Sequence, residues 1–226
     1  MKRNVDIKEI SDGRLYSEND MVKADCHGCN GCHQCCTGMG KSVILDPYDV
    51  HRLRMGMGKN FQQLLEEGVL ELQVVDGCIL PNLRMVGDEE RCVLLNFNNR
   101  CSAHPYRPGV CRLFPLGRYY EKGECKYFLQ VGECAEKNRS KVKVSKWLDT
   151  PSVQDYHVFI CRWHYLLNDI ESKITGKEDS EVAKQLNMQM LNMFYMTDFE
   201  DSGFYSEFQN RVTAFRARFQ INTENE

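Results

Sequence analysis

Hydrophobic and polar positions change period along the chain. Asp46-Pro47 reads as an N-cap followed by a first helical residue, and predicts a short helix to about Met55, ended by Gly56 and Gly58. Asn60 predicts a second helix over Phe61 to Glu67, stopped by Gly68. Val69 to Val75 and Cys78 to Val86 then alternate with period two on either side of Asp76-Gly77, which predicts a hairpin. Val93 to Phe97 predicts a further short strand before an Asn98-Asn99 turn. Tyr119-Tyr120 and Tyr127 to Val131 predict another hairpin around Gly123.

From Ser145 onward the pattern becomes helical. Thr150-Pro151 predicts a capped start for a helix running through Trp163 to about Ile174, before Gly176. Ser180 opens a segment with Val182, Leu186, Met190, Met193 and Phe194 at helical spacing. A last helix carries Phe204, Phe208, Val212, Phe215 and Phe219. Methionine and aromatic stripes of this kind are helix-packing faces. The pattern as a whole predicts an α+β fold: a small cysteine-rich core with short strands and loops, then a helical C-terminal part. Residues 1–148 are expected to form a cysteine-cluster domain, with 149–226 a helical extension packed on it.

Composition sharpens this picture at the cysteines. A chain of 226 residues, 42% hydrophobic, can bury a core without disulfides. It nevertheless carries 12 cysteines, of which only Cys161 lies outside the stretch from Cys26 to Cys134. The first residues, Met1 to Glu9, place no apolar run behind Lys2-Arg3, and nowhere do roughly 20 apolar residues follow one another. The expected location is therefore cytoplasmic, where thiols stay reduced and serve metal or redox chemistry. A net charge of −3 without a Lys/Arg stripe argues against nucleic acid as a partner. The basic run from Lys137 to Lys146 reads as a solvated strand or helix edge. The composition leaves room for a protein partner or protein substrate, and none for a membrane.

The densest chemical signal is Cys26-His27-Gly28-Cys29-Asn30-Gly31-Cys32-His33-Gln34-Cys35-Cys36. Cysteines recur every third residue, and two-residue spacers wrap such a loop around one point. Cys26, Cys29, Cys32 and Cys36 spell the C-x2-C-x2-C-x3-C run that holds [4Fe–4S] clusters, although Thr37 stands where a proline normally follows. Zinc is the alternative, weakened by the absence of a second C-x2-C knuckle downstream. Adjacent side chains in extended backbone diverge, so one of Cys35 and Cys36 ligates while the other serves a different site or packs.

A second element runs from Cys92 through Cys101 to Cys111, and ends in Cys111-Arg112-Leu113-Phe114-Pro115. Thiolates around a cluster carry net negative charge, which Arg107 and Arg112 are placed to offset as cofactor-binding residues. Pro108 can start a short helix aimed at the same site. His27 and His33 read as lying beside the ligands, while His104, His157 and His164 read as structural. Thr37-Gly38-Met39-Gly40-Lys41-Ser42 ends like a phosphate-binding loop, but Cys35 occupies its first glycine position and no strand precedes it.

Cys29-x2-Cys32-x2-Cys35-Cys36, the Cys92 to Cys101 segment and Tyr106-Arg107-Pro108…Cys111-Arg112-Leu113-Phe114-Pro115 together resemble the CxxCxxCC cysteine-cluster family, also called YkgJ-like. That family is described as a zinc- or iron-chelating domain, and the resemblance covers roughly Cys29 to Trp147. It implies Cys29, Cys32, Cys35, Cys36, Cys92, Cys101, Cys111 and Cys134 as metal ligands. The flagellin lysine N-methylases look like relatives, which implies a cluster used beside S-adenosylmethionine chemistry. Cys26, Cys78, Cys125 and Cys161 are additions to the simplest pattern, and they leave the number of sites open.

Overall fold

The computed structural model of the chain describes residues 6–28 and 32–222. It begins with a helical turn α1 (Ile7–Ile10) and a strand β1 (Met21–Asp25). Helix α2 (Pro47–Met57) follows. Its start is locked by a reciprocal capping box, in which Asp46 accepts from the Asp49 N–H and Asp49 from the Asp46 N–H. Gly58, in left-handed conformation, ends it. Gly56 lies inside α2 and does not stop it, contrary to expectation. A Cβ at Gly56 would come within 2.2 Å of the Tyr106 ring, so this glycine admits a neighbouring loop. Helix α3 (Phe61–Glu66) repeats the capping box with Asn60 and Gln63.

Strands β2 (Leu70–Val75) and β3 (Cys78–Leu83) form the expected hairpin, with Val75 opposite Cys78. Asp76 and Gly77 both adopt positive φ, as a two-residue hairpin turn requires. The second expected strand is split. After Leu83 the chain leaves the ladder, and β4 (Met85–Val86) pairs instead with β5 (Arg91–Cys92).

The strand expected over Val93 to Phe97 is not formed. The Asn96 carboxamide accepts from the Asn98 and Arg100 N–H groups and folds the segment into a tight loop, so that Leu95 bridges Cys101. Helix α4 (Gly109–Leu113) then leads into the hairpin β6 (Leu116–Glu121) and β7 (Glu124–Leu129). The basic run contains β8 (Ser140–Lys143), which pairs antiparallel with β1 and is followed by α5 (Val144–Trp147).

Three helices complete the chain: α6 (Val153–Ile174), α7 (Glu181–Leu191) and α8 (Phe204–Phe219). Helix α6 starts two residues after Pro151, because Ser152 takes a left-handed conformation at the cap position and Thr150 Oγ1 donates to the Leu148 carbonyl. On α7 the buried face carries Ala183, Leu186, Asn187 and Met190, whereas Val182 is exposed. A π-turn (Asn192–Met196) follows and buries Phe194 and Tyr195.

Two hydrophobic cores result. The larger packs Tyr156, Phe159, Trp163, Phe194, Phe208 and Phe215 against side chains of α2, α3, β2 and β3. The smaller lies beneath the β6–β7 hairpin, where Val22, Leu116, Cys125, Tyr127, Val144 and Cys161 meet. The architecture is α+β, with small two-stranded sheets and a helical C-terminal part. Among the described residues no helix is long and apolar enough to cross a membrane.

Candidate metal centre

Four short pieces of chain surround a cavity of about 270 Å³. A 3₁₀ turn (Gln34–Cys36) supplies Cys35 and Cys36, the end of β5 supplies Cys92, the loop closed by Asn96 supplies Cys101, and α4 supplies Cys111. Cys32 lines the same cavity from the exposed side. The remaining wall is largely apolar, with Met39, Val43, Leu83, Leu94, Val110 and Phe114.

Hydrogen bonds fix each piece. Ser102 donates twice to the Leu94 carbonyl, through its N–H and its hydroxyl, and so holds Cys101 against the strand that ends at Cys92. The start of α4 is anchored from far away in sequence, since the Gly109 N–H donates to Asp49 Oδ1. Arg112 is fully buried, donating to the carbonyls of Arg107 at 2.7 Å and Leu148 at 3.2 Å. Its guanidinium lies over the Tyr156 ring, as does that of Arg118, whose Nη2 donates to the Tyr156 hydroxyl. The cationic groups of Arg112 and Arg118 face the buried carboxylates of Asp46 and Asp49. Burial raises both carboxyls and the two guanidinium groups oppose that shift, so that these side chains form a buried polar platform behind Cys111.

The thiols act on one another. Cys35, Cys92, Cys101 and Cys111 are mutually within electrostatic reach in all six pairings. Burial, and then the neighbouring thiols, push Cys111 well above the ordinary thiol range, and Cys92 and Cys101 move the same way. Cys36 is pushed up chiefly because its thiol donates to Cys35. Cys35 is correspondingly lowered to about 7, helped by the Arg107 guanidinium. Ionising all of these thiols together is costly, because each raises the others. A metal cation that displaces their protons relieves the repulsion directly.

Of the residues singled out in the sequence, Cys32, Cys35, Cys36, Cys92, Cys101, Cys111 and Arg107 line the cavity. Cys29 lies outside the described residues. Cys134 is half-buried beyond β7 and does not line the cavity. Arg112 does not line it either. It stands behind the cavity with Asp46 and Asp49, and the first N–H of α4 donates to Asp49. His104, read as structural, lies in the cavity wall with its Nε2 3.3 Å from Arg107 Nη1. Its position one turn before Arg107 was the available signal. Among the described residues, no three Cys, His, Asp or Glu side chains are arranged to hold one ion.

A family model with the description "Putative zinc- or iron-chelating domain" matches residues 28–145, a span that contains every thiol of the cavity. No curated protein and no solved structure matches the chain.

Proposed function

The chain belongs to the CxxCxxCC family of zinc- or iron-chelating domains, and on that premise we propose that it holds a [4Fe–4S] cluster between Cys35, Cys92, Cys101 and Cys111. The observation that carries this reading is the gathering of those four thiols, from four separate pieces of chain, around one shared cavity. Thiolates on a single zinc stand within about 4 Å of one another, given Zn–S bonds near 2.3 Å. A polynuclear cluster instead needs four thiolates spread around a core of iron and sulfide. Cys32 and Cys36 flank the quartet. The Arg107 guanidinium offsets the negative charge of the assembly, and the apolar wall keeps water from it. Such a cluster supplies reversible one-electron transfer, or a Lewis-acidic iron where a ligand position is open.

Zinc remains the second reading, carried by the family description. The methyltransferase reading rests on distant resemblance, and the matched description names chelation and no reaction. Single cysteine variants purified without air test the ligand set. Serine at Cys35, Cys92, Cys101 or Cys111 is expected to remove most of the bound metal, whereas serine at Cys78 or Cys134 retains it. Full metal content in any of the first four would overturn the set.

A further inference from the structure

Away from the cavity, Cys125 on β7 and Cys161 on α6 are both buried in the smaller core, close enough for their thiols to act on each other. His157, one helical turn before Cys161 on the same face of α6, hydrogen-bonds the same sulfur. The imidazole is held in turn by Glu18, whose Oε2 lies 3.8 Å from His157 Nδ1. Tyr120 closes the other side. Its hydroxyl reaches Cys125, and its ring stacks on His164 with centroids 3.7 Å apart. We infer that Cys125 and Cys161 form a redox-active dithiol, a second thiol site that takes a peroxide as its oxidant and closes to a disulfide.

The chemistry follows from the asymmetry of the pair. Cys161 is lowered to about 6 by its contact with Cys125 and by His157, while Cys125 is pushed up. The pair is therefore poised as a Cys161 thiolate beside a Cys125 thiol, with His157, raised by the same sulfur, as the proton donor, the setting that makes a cysteine nucleophilic. The Cys161 sulfur attacks one peroxide oxygen and the O–O bond breaks. The departing hydroxide takes the imidazolium proton and leaves as water, and Cys161 becomes a sulfenic acid. The Cys125 sulfur then attacks the Cys161 sulfur and the S–O bond breaks. His157 passes the Cys125 proton to the leaving hydroxide. Two thiols and one peroxide give one disulfide and two waters. Both sulfurs lie just under the surface, at 4% and 6% exposure. The half-exposed His157 offers a route for an oxidant hardly larger than water.

Cys78 provides an internal reference. It is equally buried but has no thiol partner among the described residues, and burial pushes it up to about 12. The test is a graded hydrogen peroxide titration of the full, metal-containing chain, with acid quench, alkylation of free thiols and peptide mass mapping. Metal content is followed in parallel. We expect a Cys125–Cys161 cross-linked peptide at sub-stoichiometric peroxide, with Cys78 still alkylated and the metal retained. His157→Gln should slow the cross-link several-fold, and Cys125→Ser should leave a Cys161 sulfenic acid that a dione probe traps. If Cys125 and Cys161 remain alkylatable to the same extent as Cys78, the proposal is overturned. It is equally overturned if Cys161 proceeds to sulfinic acid in the wild-type chain without cross-linking.

Discussion

The Gly109 backbone N–H donates to Asp49 Oδ1 at 2.5 Å, joining the first turn of α2 to helix α4, which carries Cys111. The contact is possible only because position 109 has no side chain. A Cβ there would lie 2.5 Å from the Tyr156 hydroxyl and 3.3 Å from both Arg118 Nη2 and Asp49 Oδ1. The platform of Asp46, Asp49, Arg112, Arg118 and Tyr156 thus reaches the cavity through one glycine.

Gly109→Ala should therefore cost roughly 1–3 kcal/mol of stability by overpacking. It should also reduce bound metal, because α4 is displaced. Urea unfolding read alongside metal content checks both effects. An unchanged midpoint with full metal content would show that the platform tolerates a methyl group, and that the close approach is not needed.

The same platform sets a pH dependence. Burial, and then the neighbouring Asp49 carboxylate, raise Asp46 from 3.8 to about 8. A carboxyl raised in the folded state holds its proton there while the unfolded chain has lost it. Its contribution is therefore fully present below about pH 4 and is lost as pH rises towards 8. One such group changes stability by at most about 1.4 kcal/mol per pH unit. Asp46→Asn keeps the cap, since its carboxamide oxygen still accepts from the Asp49 N–H. The expected outcome is a flatter stability profile between pH 4 and pH 8 for the variant. Parallel profiles would show that Asp46 is ionised in the folded chain.

Arg107 should matter through its charge. Arg107→Gln is expected to weaken metal retention by about tenfold in a chelator competition, the usual scale for groups just outside the ligand shell. Arg107→Lys should recover part of the loss. Equal loss in both variants would point to the guanidinium geometry, including its contact with His104, as the decisive feature.

Asn96 closes the loop between Cys92 and Cys101 by accepting from two backbone N–H groups, at 2.9 and 3.0 Å. Asn96→Ala leaves both donors to water and should cost about 1 kcal/mol, with metal loss preceding global unfolding on heating. Simultaneous loss of metal and structure would mean that this loop does not open on its own.

Much of the scaffold was legible because its signals are local. Asp46, Asn60 and Ser180 cap helices as their side chains dictate, Asp76-Gly77 turns a hairpin, and the phenylalanine stripe of α8 is buried as spaced. The segment Val93 to Phe97 misled because its apolar positions alternate. Asn96 captured the backbone, leaving Leu94 and Leu95 buried but Phe97 fully exposed. The place of Arg112 was hidden for a different reason. Its carboxyl neighbours come from α2, and a long-range electrostatic contact leaves no periodic trace in sequence. The thiol spacing marked out Cys32, Cys35 and Cys36, but only the family resemblance linked them to Cys92, Cys101 and Cys111. The pairing of Cys125 with Cys161 depends on β7 meeting α6, which neither spacing nor composition encodes.

The central claim is the polynuclear nature of the centre, and analysis of iron, sulfide and zinc in anaerobically purified protein tests it most directly. The account predicts about four iron and about four sulfide per chain with a brown visible absorption. About one zinc per chain, without sulfide or colour, would contradict it and establish a mononuclear structural site instead.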